Sequence, residues 1–489
     1  MADFERYDAI VIGAGVAGLT AAAELTFRNV RTLVVERHNV PGGCASFYQR
    51  DGYRFDVGAT LIGGFGARGV HRILNARLGI DVSPELVEPS MVVHFPDEIV
   101  VRYGDRRWVA ERVRAFGPGA EPFFRRQERI ADLAWDLSTR GPALPADIPG
   151  ALALARAFRP RHGALLATLG RTVASILPAD SSQLLRTFVD AQLLITAQTD
   201  AAHADLAYGS TALDLAREGT FHLADGVSTI SVGLARAVRR RGSQILYNHS
   251  VREIDVRGRR VCGAILSDGR RIACRRIVVA LPLHDAVRLA PLLASAYRRR
   301  LAAAPQRWGA FMLYVGLPPG IVPEALPSHH QIVASYGAPL GEGNTTFLSF
   351  SGPHERRRAR NGGRAVTIST HTDVARWERA HADGREPALR AAYTAKLLAA
   401  LDAVIPGASR RADLIEPATP YTFARYTARH RGLVGGLPQT PAHATLGALS
   451  HRTPIHGLYL AGDETFPGQS TVGTTLSGLA AAQAAAWGL

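Results

Sequence analysis

The chain has 489 residues, 47% of them hydrophobic, with 57 Lys+Arg against 42 Asp+Glu for a formal charge of +15, and only 3 cysteines. That length holds two or three domains or one composite unit with a sizeable core, and the composition excludes general disorder. Cys44, Cys262 and Cys274 form no CxxC pair, which excludes a disulfide framework and a cysteine zinc site and makes an intracellular location the expectation.

The positive charge is almost all arginine, with lysine only at Lys396, and it is spread along the chain. A nucleic-acid binder concentrates charge on one element and adds stacking aromatics, whereas aromatic content here is 7%. No nucleic-acid partner is expected, and an anionic membrane surface suits diffuse positive charge better. The opening MADFERYD is polar and acidic, unlike a secretory signal, and no apolar run of about 20 residues predicts a spanning helix. The expected location is therefore cytoplasmic, with any membrane contact peripheral.

The first elements are the most legible. Residues 7 to 36 read YDAIVIGAGVAGLTAAAELTFRNVRTLVVE. An apolar strand over 9–12 leads into Gly13, Gly15 and Gly18, then an alanine-rich helix, then a second strand over 31–35 that ends at Glu36, beside Arg37. The three glycines of a GxGxxG turn serve a tight turn, close approach of backbone to a pyrophosphate, and close packing of helix on strand. The phosphates then lie at the positive end of the helix, and Glu36 accepts hydrogen bonds from ribose hydroxyls. An acid at that strand end disfavours the 2′-phosphate of NADP, which leaves NAD or FAD.

Residues 41 to 60, PGGCASFYQRDGYRFDVGAT, place a second glycine pair, Gly42 and Gly43, just after the ribose acid, and then a polar hairpin leading to Asp56, Val57 and Gly58. A glycine turn here brings backbone close to the cofactor a second time. Next come a hairpin over MVVHFPDEIVVRYG, a helix within FGPGAEPFFRRQERIADLAWDL, and a Pro/Gly break over 141–149. ALALARAFRPRHGALLATLGRTVASIL follows, a basic amphipathic stretch broken once at Pro160, fit either to cover a substrate region or to dip into a membrane surface.

Residues 223 to 281 predict a helix over 229–240, a small β-meander with turns at Gly258 and Gly269, and a strand over 276–281 returning to the nucleotide region. Cys262 and Cys274 fall on these strands and are expected as buried thiols acting as small apolar residues. Residues 300 to 450 alternate strands (GAFMLYVGL, TTFLSFSG, AVTISTHT) with a helix (ALRAAYTAKLLAALDAVIP), which suits a sheet roofed by helices. Within ATPYTFARYTARHRGLVGG at 418 to 436, Thr422, Arg425, Tyr426 and Thr427 are candidate ligand-facing loop residues. Last, IHGLYLAGDETFPGQSTVGTTLSGLAAAQ gives a strand over 457–461, the pair Gly462-Asp463, and a small-residue helix starting near Gly473. No HExxH, GxSxG, P-loop or paired metal-ligand histidines occur, no metal is expected, and residues such as His94 and His222 read as structural or solvated. The hard chemistry is left to a cofactor.

PGGCASFYQRDGYRFDVGAT taken with GLYLAGDETFPGQSTVGTTLSG resembles the phytoene desaturase-like group of the amine-oxidase-like flavoproteins, which includes carotenoid desaturases, carotenoid cis-trans isomerases and retinol saturases. The resemblance implies an α/β fold: a Rossmann-like FAD-binding domain of the amine-oxidase/phytoene-desaturase type with an inserted α+β substrate domain. It implies a discontinuous FAD domain over 1–90, 221–295 and 451–489, and a substrate-binding, membrane-associating region over 91–220 and 296–450. It implies FAD as cofactor, with contacts from Gly13, Gly15, Gly18, Glu36, Arg37, Gly42 and Gly43. Val251 would contact the adenine end through its backbone, Gly462 and Asp463 the ribityl and phosphate oxygens, and Gly473 and Thr474 would lie near the isoalloxazine ring. Glu464 departs from the serine these relatives often carry.

The implied reaction is desaturation of an apolar polyene, an allylic C–H giving hydride to flavin N5 while a proton leaves the neighbouring carbon, with oxygen or a membrane quinone as final acceptor. The alternative is cis-trans isomerisation assisted by reduced FAD without net redox; an amine oxidase-like reaction on a small polar molecule is a third reading. No catalytic residue is identified besides the flavin, and Arg425 and Tyr426 are candidates near the substrate.

Overall fold

The structure is a computed structural model that describes residues 6–141, 148–303, 307–355 and 357–486. Its organising element is a five-stranded parallel sheet in the order Leu458–Leu460, Arg276–Val279, Ala9–Ile12, Thr32–Val35, Gln244–Leu246. These strands come from three separated parts of the chain. All but the edge strand Gln244–Leu246 are buried at every position. Short, predominantly apolar runs, broken in these four only by Thr32 and Arg276 at strand starts, are what a parallel sheet covered on both faces requires.

On one face the helix Val16–Phe27 packs between the helices Ser228–Arg240 and Ser470–Ala486. The alanines read as helix-forming in both glycine motifs, Ala17, Ala21, Ala481 and Ala485 among them, form this seam with Leu234 and Val238. A side chain at Gly478 would collide with the carbonyl of Ala17, so only glycine lets these two helices approach. On the other face lies the meander Val251–Arg257, Arg260–Leu266, Arg271–Ala273, which buries Ile254, Leu266 and Ile272 against Ile277. Cys274 is buried just past the last of these strands, and burial pushes its thiol up to about 12. Cys262 is only half-buried, because its position on Arg260–Leu266 faces away from the sheet.

A second sheet of seven strands runs Leu414–Ala418, Trp308–Leu317, Arg364–Asp373, Thr345–Phe350, His329–Val333, Met91–His94, Ile99–Arg102. Trp308–Leu317 shows its logic: Phe311, Leu313 and Val315 bury under the helices Val374–Ala382 and Glu386–Val404 with Trp377, Tyr393 and Leu397, while Met312 and Tyr314 point the opposite way. The hairpin Met91–Arg102 is roofed in turn by Glu121–Arg140, Gln183–Ala197 and Leu206–Leu213.

Besides Cys262, expected as buried, three expectations about elements differ from what is observed. The terminal helix begins at Ser470, three residues before Gly473. Residues 420–427 are a helix, Pro420–Thr427, opened by a reciprocal Thr419/Thr422 cap with proline in its first turn. The basic stretch is a helix, Ile148–Ala157, followed by 3-10 segments Pro160–Thr168 and Val173–Ile176, because buried His162 is pinned to Asp136 at 2.8 Å and glycines interrupt the rest. The break expected over 141–149 lies outside the described residues except for Gly141 and the helix start at Ile148.

Candidate cofactor and substrate cavity

The glycine turn divides its labour by position. Gly13 has φ +98°, and a side chain there would press on the carbonyl of Ala280 at 3.0 Å. A side chain on Gly18 would collide with the carbonyl of Gly13, so this residue serves helix-on-strand packing and does not line the cavity. Gly15 is the opposite case: a Cβ would meet nothing within 4 Å, because its backbone faces open space. Directly behind it the helix Val16–Phe27 starts with no side-chain cap and no acidic residue in its first turn. An open, uncapped helix start whose space a side chain would fill fits a pyrophosphate.

Gly42 and Gly43 sit against this turn. Gly42 pairs with Gly15, its N–H donates to the carbonyl of Ala14 at 2.8 Å, and a Cβ on Gly43 would lie 3.6 Å from Gly15 Cα. The Glu36 carboxylate accepts from the backbone N–H groups of Ala14 at 2.6 Å and His38 at 2.8 Å. Those bonds fix it at the wall while leaving lone pairs for a ribose.

The wall belongs to one cavity of about 1500 Å³ that runs from the nucleotide sheet to the inner face of the seven-stranded sheet. Single small-molecule sites occupy about 300–1000 Å³, so this volume holds a dinucleotide and a further ligand. Of the residues singled out in the sequence, Gly13, Gly15, Glu36, Arg37, Gly42, Gly43 and Val251 line it, as do Gly462, Asp463 and Thr474. Gly473 does not: a side chain there would meet the carbonyl of Gly468, 2.5 Å away, and its N–H is capped by Ser470 Oγ. Arg425 and Tyr426 line the cavity at its nucleotide end. The Arg425 carbonyl accepts from Arg37 Nη2 at 3.1 Å, and Tyr426 lies edge-on to His38.

Asp463 is ion-paired with Arg429 at 2.9 Å, with 17% and 13% of their side chains exposed. Burial opposes the Arg429 charge, but Asp463, aided by Glu464, more than offsets it and raises its pKa. Arg429 Nε also donates to the carbonyl of Leu433 at 2.6 Å, so one guanidinium ties the second glycine turn, the Gly-Asp turn and the loop after Pro420–Thr427. Burial pushes the Cys44 thiol up. Arg429 stands inside the 418–436 segment but carries no mark in the sequence, because its partner is remote. Glu464 serves the fold through its side chain, in which Oε2 accepts the N–H of Leu283, the residue that opens the helix Leu283–Leu289, at 2.7 Å.

Beyond the nucleotide end the wall is formed by Leu61, Met91, Ile195, Leu213 and Phe347, with amides and hydroxyls among them. Gln192 Nε2 donates to Gln331 Oε1 at 2.6 Å. His371 lines the wall beside Gln198, and burial lowers its pKa to about 4, which keeps the ring neutral. Among the described residues no cluster of three or more His, Cys, Asp or Glu could hold a metal ion, and no helix is long and apolar enough to cross a membrane.

This combination of a two-glycine-turn nucleotide sheet, a late Gly-Asp turn and a covered second sheet defines a flavin-dependent enzyme. Residues 16–486 match the family model of the flavin containing amine oxidoreductases, and the chain belongs to that family. Its cofactor is FAD. Among curated proteins it is 27% identical to a prolycopene isomerase from an Oncidium hybrid cultivar, over 97% of this chain and 83% of that one. It is 25% identical to a lycopene-forming phytoene desaturase from a Paracoccus strain, over 97% and 96%. A putrescine oxidase double mutant shares the fold at TM-score 0.66 and 14% identity, covering 98% of this chain and 99% of that one.

Proposed function

We propose that this chain is an FAD-dependent oxidoreductase acting on a long apolar polyene, with carotenoid desaturation as its reaction. The observation that carries this reading is the single cavity joining the nucleotide turn to a largely apolar wall. When bound, FAD supplies a two-electron acceptor for an allylic hydride. The open helix start behind Gly15 holds the pyrophosphate, Glu36 the ribose, the Val251 backbone the adenine end, and Asp463, fixed by Arg429, the ribityl side. Leu61, Met91, Ile195 and Phe347 exclude water and align the polyene, and neutral His371 adds no charge to that wall. Oxygen or a membrane quinone takes the electrons onward.

A second reading, isomerisation without net redox, is supported by the near-full-length likeness to prolycopene isomerases. The small-amine reading has weaker support, because it rests on a fold shared with putrescine oxidase at 14% identity, whereas the curated relatives at 27% and 25% identity are named for carotenoid reactions. Peripheral membrane contact is supported by exposed Leu152, Leu166 and Leu169, interspersed with exposed Arg156, Arg159 and Arg161.

One experiment addresses all three points. The FAD-loaded protein is mixed anaerobically with phytoene or prolycopene carried in anionic vesicles, and flavin absorbance, product and pelleting are followed together. Stoichiometric bleaching with lengthened conjugation establishes desaturation, and a geometric isomer formed only after flavin reduction establishes isomerisation. No change in either polyene overturns the polyene reading. Co-pelleting that weakens with salt establishes membrane contact, and failure to pellet at any salt concentration overturns it.

A further inference from the structure

His371 enters the cavity from the seven-stranded sheet. Side chains alternate along Arg364–Asp373, so Ile368 is buried under the helices while Ser369 and His371 line the cavity, opposite Met312 and Ala310. The ring meets Gln198 through Nε2 at 3.0 Å. Its other nitrogen, Nδ1, has no hydrogen-bond partner among the described residues and is not sealed by them, so it opens on the cavity. The position is fixed from two sides. Gln198 packs on Gly435, and the next residue, Gly436, packs on the Asp463 carbonyl, which sets the pair beside the Gly-Asp turn. Ile195 of the apolar wall is one turn back on the helix that Gln198 follows.

Other groups on the wall that could take a proton are engaged or remote. Asp463 is held by Arg429, Glu416 by Arg50 at 3.2 Å, Glu386 by His381 at 2.8 Å and Asp285 by Arg288 at 3.6 Å. Burial keeps the Cys44 thiol and the Tyr314 phenol protonated. His38 and His249 are tied by their backbones to the Glu36 region, at the nucleotide end. His371, held neutral by burial, has a free nitrogen where the two parts of the cavity meet.

The heavy atoms admit both orientations of the Gln198 amide, and each leaves one amide group without a partner. The charged ring decides between them, because both nitrogens of an imidazolium donate and only the amide oxygen can accept from Nε2. With that oxygen toward the ring, Nδ1 carries the lone pair.

We propose that His371 is the catalytic base of the desaturation, taking on Nδ1 the proton lost by the substrate, with Gln198 as its positioning residue. This rests on the desaturation reading above and names the group that completes it. The allylic C–H breaks with its electron pair, and the hydride reduces FAD by two electrons. On the neighbouring carbon C–H breaks, the proton goes to Nδ1, and the electron pair left behind forms the new C=C. Hydride loss leaves a cation spread over the polyene, an acid far stronger than an imidazolium, so even a weakly basic imidazole accepts its proton.

The FAD-loaded full chain and its His371→Gln and His371→Ala variants are mixed anaerobically with phytoene in one detergent, and flavin bleaching, FAD content and phytoene binding are measured. Both variants should bleach at least about 100-fold more slowly than wild type, the share that a positioned base supplies, with FAD content and phytoene affinity unchanged. Added imidazole should restore bleaching to His371→Ala in proportion to its unprotonated form, which a purely structural role would not produce. Bleaching at the wild-type rate in either variant overturns the assignment. Slow bleaching that imidazole leaves unchanged overturns it too, as does loss of FAD or of phytoene binding from both variants, which makes His371 a wall residue. A wild type that binds phytoene without bleaching fails the desaturation reading itself, an outcome reached before either variant is compared.

Discussion

Gly15 and Gly18 stand three positions apart in one motif, and the space around a would-be Cβ gives them different consequences. At Gly15 that space is the cavity, so Gly15→Val should leave the fold intact and obstruct the nucleotide. The expected result is an apo-protein melting temperature within about 2 °C of wild type, with FAD affinity reduced at least about 10-fold, a change of about 1.4 kcal/mol. At Gly18 the space is the Gly13 carbonyl, so Gly18→Val should lower soluble yield and melting temperature before any question of FAD arises. Absorbance at the flavin band and melts of both variants check the pair; a Gly15→Val protein that keeps wild-type FAD would remove Gly15 from the cofactor site. Residues whose role is local in sequence were legible in this way. Arg429 was not, since an arginine in an arginine-rich chain carries no mark until Asp463 is brought to it across 34 positions.

At the scale of elements, Glu464 explains a departure that sequence comparison could only flag. Its carboxylate caps the helix Leu283–Leu289, whose start has no side-chain cap of its own, and links the late Gly-Asp turn to the strand end at Val279. Glu464→Ser shortens the side chain beyond reach of the Leu283 N–H. The expected cost is about 1–2 kcal/mol of stability, read as a lower melting temperature with FAD content unchanged. A variant that melts like wild type but loses FAD would make Glu464 a cofactor residue. The elements read correctly were those whose determinants lie close together: short buried strands beside glycine turns, and the alanine helices. The segment 148–176 was not legible as an amphipathic helix with one break, because His162 is held by Asp136 from another helix and no periodicity reports that. Pro420–Thr427 was legible in principle, since Thr-Pro-x-Thr is a helix start, but residue types that fit a ligand site also read as a loop.

Across the whole molecule, the buried histidines set a pH limit. Burial lowers His71, His330 and His371 to about 4. An unfolded chain takes up a proton on each near pH 6.5, the folded one only near pH 4, so between those values the unfolded state holds more protons and stability falls as pH falls. The buried carboxyls work against this: burial raises Asp214 to about 6, so the folded state there binds its proton first and gains stability on acidification between pH 6 and 3.8. Because the whole-protein profile is a balance of these, a single site isolates the effect. His71 is 1% exposed, stacks on Phe65, and its Nε2 has no partner, so His71→Phe removes a titrating group from an apolar setting. The difference in stability between variant and wild type should be small at pH 7.5 and should move in the variant's favour by up to about 3 kcal/mol as pH drops through 6.5 toward 4. Salt should not abolish that difference, since the group is out of reach of screening, whereas repulsion from the +15 surface charge would be damped. Parallel pH profiles for the two proteins would show that His71 is protonated as readily in the folded chain as in the unfolded one.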